Sequence, residues 1–250
     1  MKYMLIHAVD ESRLGDLPPQ VETELTAWAE EMVGRGIELD GARLFPTSDA
    51  TTVRVPDGDV QVTDGPFAET KEQIAGYDVL DCPDLDTAIA VAAAHPTLNV
   101  GAIEVRAFDE GMPTPEVPES VAEGKRRYLM LVCADMRRAM AATTAQAPSP
   151  DLWDPPEPEQ PDTEDEVARW IADAGPRRIY GWALQFPNQA VTVRRIDGRV
   201  VTTDGPFAET KEQVAGFDLL ECRDLDDAIS VAAGHPVAGG GALEIRPLWD

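Results

Sequence analysis

The hydrophobic pattern of the chain falls into two similar halves. Residues 2–9 (KYMLIHAV) and 127–134 (RYLMLVCA) are apolar on both faces, which predicts a strand in the middle of a sheet in each half. Val21, Leu25, Trp28, Met32 and Val33 recur at helical spacing, and Gly34 and Gly36 end that run. In the second half the matching helix opens on Thr163-x-x-Glu166, a capping box, continues through Val167, Trp170 and Ile171, and stops at Gly175-Pro176. Strands are predicted near 38–45 and 51–55. Asp57-Gly58 and Asp197-Gly198 suit a type I′ turn, so 53–56 should fold back on 60–63. A strand over 76–82, an acid-capped helix over 84–95 stopped by Pro96, and a strand over 101–107 complete the half. The order is βα, then strands, then αβ, which is a split βαβ, ferredoxin-like α+β domain.

The halves are a tandem repeat. DGPFAETKEQIAGYDVL at 64–80 returns as DGPFAETKEQVAGFDLL at 204–220, an offset of 140, and from 64 to 96 the copies agree at 25 of 33 positions. GAIEVR (101–106) matches GALEIR (241–246), while the first strands match at an offset of 125, so copy two carries 15 extra residues after its first strand. We place copy one at 1–109, a linker with three prolines at 110–124, and copy two at 125–250 with a Pro-rich, acidic insertion near 136–162. Trp153 lies inside that insertion, either packed on its own domain or facing a ligand.

Charge narrows the function. With 21 Lys+Arg against 46 Asp+Glu the net charge is −25, which opposes binding to nucleic acid or to an anionic membrane surface. No stretch approaches a membrane span, and three scattered cysteines without CxxC spacing suit reduced thiols in a cytoplasm. His7, His95 and His235 show no zinc-binding spacing, so no metal is expected.

Several residues are candidates for chemistry. The block repeated at 64–76 and 204–216 reads either as a turn organised by Asp64 and Asp204, or as a polar ligand-binding loop presenting Asp64, Thr70, Lys71, Asp204, Thr210 and Lys211, with Glu69 and Glu72 beside them. His7 shares the Tyr3/Leu5/Val9 face of a central strand, and its counterpart is Val132. It is either a core histidine or a lone acid–base group lining a cavity, which would leave one competent pocket per chain with the insertion as a partial lid. His95 and His235 precede prolines at helix ends, where a cation is favoured and the ring can cap free carbonyls. Glu104–Arg106 and Glu244–Arg246 read as structural ion pairs, and Cys82 and Cys222 as core residues.

The motif DGPFAETKEQ-x-GY/F, the Asp-Leu-Asp helix start after it and the closing GxxEVR/GxxEIR strand together resemble the YCII-related (DGPF-domain) family over both copies. The resemblance implies ferredoxin-like domains paired into a dimeric α/β barrel with a cavity between two sheets, here an intrachain pseudo-dimer. Barrels of that kind include muconolactone isomerase, small cofactor-free monooxygenases and a chlorohydroquinone dehydrochlorinase. The implied function is a small-molecule binder, in one form a cofactor-free isomerase- or lyase-type enzyme on an apolar or aromatic metabolite. The alternative is a regulatory or interaction module with a protein partner, since some DGPF proteins accompany alternative sigma factors; a monomer and a homodimer are both compatible. Family enzymes are thought to use a His–Asp pair with its His on the first helix. Neither first helix here contains a His.

Overall fold

The computed structural model describes residues 1–16, 20–135 and 163–249; the side chains of residues 14–20 and 163–164 are also outside the description. The insertion at 136–162, Trp153 and the Thr163 side of the capping box therefore lie outside the described residues.

Copy one runs β1 (Lys2–Val9), α1 (Gln20–Gly34), β2 (Glu38–Arg43), β3 (Thr51–Arg54), β4 (Gln61–Asp64), β5 (Gln73–Asp81), α2 (Leu85–Ala94) and β6 (Gly101–Ala107). Copy two repeats it as β7 (Arg126–Ala134), α3 (Thr163–Ala174), β8 (Arg178–Ala183), β9 (Val191–Ile196), β10 (Arg199–Asp204), β11 (Gln213–Cys222), α4 (Leu225–Ala233) and β12 (Ala242–Pro247). The doubly apolar strands are central as their pattern requires: β1 lies between β5 and β6, and β7 between β11 and β12. Asp84 and Asp224 cap α2 and α4 by accepting the backbone N–H three residues on, at 2.8 and 2.9 Å.

The hairpins trade places. One sheet has the order β10-β9-β6-β1-β5-β2 and the other β4-β3-β12-β7-β11-β8, so each copy donates its β-hairpin to the edge of the other copy's sheet. β3 pairs with β12 through Val53↔Leu243, and β9 pairs with β6 through Val193↔Ile103. Asp57 and Gly58, like Asp197 and Gly198, have the positive φ of a type I′ turn. Copy two makes the two-residue turn outright, with Ile196 facing Arg199, whereas in copy one pairing resumes only at Arg54↔Gln61.

The two sheets, neither closed on itself, stack face to face. Met4, Ile6, Tyr77 and Val79 of one meet Leu129, Leu131, Phe217 and Leu219 of the other in a common apolar core. The outer faces are covered by helices: Trp28 and Met32 of α1 with Ala88, Val91 and Ala92 of α2 on one, Trp170 of α3 with Ala228, Val231 and Ala232 of α4 on the other. The result is a helix–sheet–sheet–helix sandwich, compatible with two tandem ferredoxin-like domains.

The exchanged hairpins bring the repeated DGPF block to the seam between copies. Phe67 N–H donates to Glu244 Oε2 at 2.9 Å, and Phe207 N–H to Glu104 Oε2 at 3.1 Å. Arg54 binds Glu212 through two bonds of 2.6 and 2.5 Å, and Arg194 binds Glu72 through two of 2.5 and 2.6 Å. Beneath them Arg106 and Arg246 are fully buried, each paired with the glutamate two residues before it. Arg106 also donates to Gln185 and Val214 carbonyls, and Arg246 to Phe45. Both ion pairs are structural, as the sequence suggested, and they tie one copy to the other. Cys82 and Cys222 are buried free thiols in the helix-facing cores.

Candidate functional site

A cavity of about 600 Å³ opens in copy one. It lies between β1, β2 and β5 on one side and α1 on the other. The resemblance had implied a cavity between the two sheets, but that space is filled by Tyr77, Phe217 and their neighbours, which are nearly inaccessible. Val9, Val21, Leu25, Leu44 and Val100 make most of the wall apolar.

His7 stands at this wall. In β1 it pairs with Gly76 of β5, and the register slips by one residue immediately after it, so a β-bulge at Ala75 sits beside the ring. Only glycine fits opposite: a Cβ on Gly76 would come within 2.9 Å of Ala42 O and 3.1 Å of His7 Nδ1. His7 Nε2 is 2.8 Å from Asp78 Oδ2, and both residues are buried. Donation of Nε2–H to the carboxylate leaves Nδ1 as the lone-pair nitrogen of the neutral ring. A His–Asp pair is thus built from two adjacent strands, in a chain whose first helix has no histidine.

His95 closes the far side. Its Nδ1 accepts the Thr97 N–H at 3.1 Å, which places the ring proton on Nε2, 3.7 Å from Asp78 Oδ2. Burial and the adjacent His7 push its pKa down to about 3, so it is neutral and not the cation expected at a helix end. The direction of capping differs as well. The His95 and His235 rings cap the N-terminus of the following 3₁₀ turn, and only the backbone N–H groups of these residues bond helix carbonyls, those of Ala92 and Ala232. Trp28 packs edge-on against His95 at 4.2 Å between ring centres.

Glu38 of β2 stands at this wall beside them. Burial, with Asp78 and Asp40 nearby, raises its pKa to about 8, so its carboxyl keeps its proton at neutral pH. Its Oε2 is buried without a hydrogen-bond partner. The cavity wall therefore carries a carboxylate-oriented imidazole and a neutral carboxylic acid, groups chemically suited to take up and to give a proton.

The ligand atoms of His7, Asp78 and His95 lie within 4.8 Å of one another, close enough for a metal ion. Ligation through His95 Nε2 would put the ring proton on Nδ1, against the Thr97 N–H that Nδ1 now accepts. The donor set reaches three only if that cap is broken, so the arrangement fits acid–base work better than a metal.

Copy two has the same frame with different contents. Val132 replaces His7 opposite Gly216, and Arg178 replaces Glu38. Arg178 donates to Asp218 Oδ1 at 2.6 Å and to Gly181 O at 2.7 Å, and His235 keeps its place against Trp170. Burial lifts the Asp218 pKa to about 6 against the pull of Arg178.

The polar residues of the repeated block are elsewhere. Asp64 and Asp204 are exposed, and neither carboxylate makes a hydrogen bond among the described residues. Their turns are held instead by Gly65 N–H to Ala50 O and Gly205 N–H to Ala190 O, both 2.8 Å, and by the Thr52 and Thr192 hydroxyls. That corrects the expectation that Asp64 and Asp204 organise the turn. Thr70 and Thr210 donate to the Glu72 and Glu212 carbonyls and line a space of about 20 Å³ between the copies, room for one water. Lys71 and Lys211 are exposed. None of these six residues lines the large cavity. Asp78 and Glu38 are candidate-site residues that the sequence reading missed, and His95, read there as a helix-end cap, joins them at the cavity wall. Glu38 had a signal in its replacement by Arg178 at the matched position of the repeat, whereas Asp78 and His95 are matched by Asp218 and His235 and carry none.

Comparison with known proteins gives a family and one relative. A family-wide sequence model described as "YCII-related domain" matches residues 1–110 and 160–250. An uncharacterized protein of Rhizobium meliloti (strain 1021) is 46% identical over 61 residues, which is 24% of this chain and 49% of that protein. The match thus spans about half the length of that relative.

Proposed function

This chain belongs to the YCII-related family, and from that premise we propose that it binds a small apolar or aromatic metabolite and performs cofactor-free acid–base chemistry of isomerase or lyase type. The observation that carries this reading is the His7–Asp78 pair at the wall of a 600 Å³ cavity whose other acid, Glu38, is held neutral. His7 Nδ1 takes a proton from the substrate while Asp78 holds the ring and stabilises the imidazolium that forms. Glu38 supplies a proton to the atom where negative charge develops. Asp78 is a positioning residue in this scheme; His7 and Glu38 touch the substrate. The reaction needs only proton transfer. With Val132 and an Arg178–Asp218 pair in the matching place, copy two lacks the base, and one competent site per chain follows.

A general assay for proton abstraction tests the reading without a known substrate. The protein is incubated in D₂O with a panel of small carbonyl compounds and lactones, and deuterium incorporation is followed by NMR. At least one compound should exchange, and His7→Val and Asp78→Asn should slow that exchange by about 10²-fold or more. Undiminished exchange in His7→Val, or none across the panel, would overturn it.

The alternative, an interaction module with a protein partner, draws support from one observation. The exchanged hairpins form outer sheet edges and leave Val60, Val62, Ile196, Val200 and Val201 exposed. Pull-down with a hairpin variant carrying Val62→Lys and Val201→Lys tests it, and an unchanged set of partners counts against it.

A further inference from the structure

We infer that the copy-one cavity takes an organic cation, an ammonium or amidinium nitrogen on an apolar or aromatic body, with the nitrogen seated over Gly41 between Asp78 and Glu38. The inference rests on the proposed function only in taking the cavity as a ligand site: a cation seated there takes the place of the proton that Glu38 otherwise holds, and Glu38 is then its counter-ion and not a proton donor.

The second copy supplies the template. There the chain fills the equivalent place with its own cation. The Arg178 guanidinium donates to Asp218 Oδ1 and to Gly181 O, and lies 5.7 Å over the Trp170 ring. A carboxylate, a glycine carbonyl and an indole face thus form a three-sided seat for a planar cation. Copy one keeps all three walls, as Asp78, Gly41 and Trp28, and all three line the cavity. What it lacks is the occupant: at the position of Arg178 stands Glu38, which adds a second carboxyl in place of a cation.

The geometry of the seat agrees. Gly41 has no side chain, and the point where a Cβ would stand lies 2.6 Å from Asp78 Oδ1 and 2.8 Å from Glu38 Oε1. Two carboxyl oxygens on different strands therefore converge on the bare face of Gly41, and all three residues line the cavity. Glu38 Oε2 has no partner within the protein although it is buried, a cost that a ligand donor would remove. In copy two the Asp218 carboxylate crowds Gly181 in the same way, but its Oδ1 is taken by Arg178. The remaining wall adds Glu11 and Glu22 against a single guanidinium, Arg43, which packs over Trp249. The charge balance there disfavours an anionic ligand, and the valine and leucine wall suits an apolar body.

Calorimetric titration of the full chain with four probes of similar shape tests this: benzamidine, 2-phenylethylamine, neutral benzamide and anionic 3-phenylpropionate. The two cations should bind at one site per chain, at least 10-fold tighter than benzamide. Glu38→Gln should weaken the cations at least 5-fold and leave benzamide unchanged. Glu38→Arg, which installs the copy-two arrangement, should abolish cation binding while the melting temperature is held. If that variant fails to fold, Glu38→Gln decides. Cations that bind no better than benzamide, that fail to bind, or that bind Glu38→Gln as well as the wild type overturn the inference. Neutral binding without cation binding would leave the cavity standing as a ligand site. The deuterium-exchange assay decides the acid–base reading separately.

Discussion

Replacing Glu38 by Gln should change how stability depends on pH, and the sign is set by the direction of its pKa. The folded state holds the Glu38 proton up to about pH 8, against 4.5 for an unperturbed glutamate. Between those limits the native protein binds more protons than the unfolded chain, so stability falls as pH rises from about 5 to about 8 and then levels. At about 1.4 kcal/mol per pH unit, the full displacement sets a ceiling of ~5 kcal/mol. Glu38 is partly exposed, and solvent screening brings the expectation to about 2 kcal/mol. Glu38→Gln removes the titration and keeps the shape. Urea unfolding of both proteins at pH 5, 6, 7, 8 and 9 should show the variant gaining by about 2 kcal/mol relative to the wild type between pH 5 and 9. The other displaced groups, Asp218, His95 and His235, are common to both proteins and cancel in the difference. Parallel pH profiles would refute the argument, because they would mean that Glu38 titrates alike in the folded and unfolded chains.

Other substitutions test the seam between copies. Glu104→Ala leaves Arg106 buried and half unpaired and frees the Phe207 N–H, so thermal or urea unfolding should register a loss of about 3 kcal/mol or more. Asp64→Ala removes an exposed carboxylate without hydrogen bonds and should stay within about 0.5 kcal/mol of the wild type in the same measurement. Residues 1–110 expressed alone would have to place the β3–β4 hairpin on a second molecule, so light scattering should find a homodimer. A folded monomer would refute the exchange.

Much of the fold was legible because local pattern and burial agree. The doubly apolar strands became central strands, and Asp84 and Asp224 became caps. What the pattern of one copy cannot carry is the choice of partner. The residues that would pair β3 with its own copy's last strand are nearly the same as those that pair it with the other copy's, because the copies are alike. That likeness also misled the reading of the DGPF block. Its polar residues looked like a ligand loop, yet a pseudo-two-fold seam asks the same thing: Arg54 needs Glu212 as Arg194 needs Glu72, and neither half of the reciprocal pair can change alone. The site follows the opposite rule. Val132 and Arg178 differ from His7 and Glu38 because each place is walled mainly by the first helix and three strands of its own copy, with Trp249 of copy two added to the copy-one wall, so one copy can seal its pocket with an internal ion pair while the other keeps its pocket open. In a fused pair of domains, sameness between copies therefore marks the contact surface, and the buried positions that differ in charge mark the chemistry.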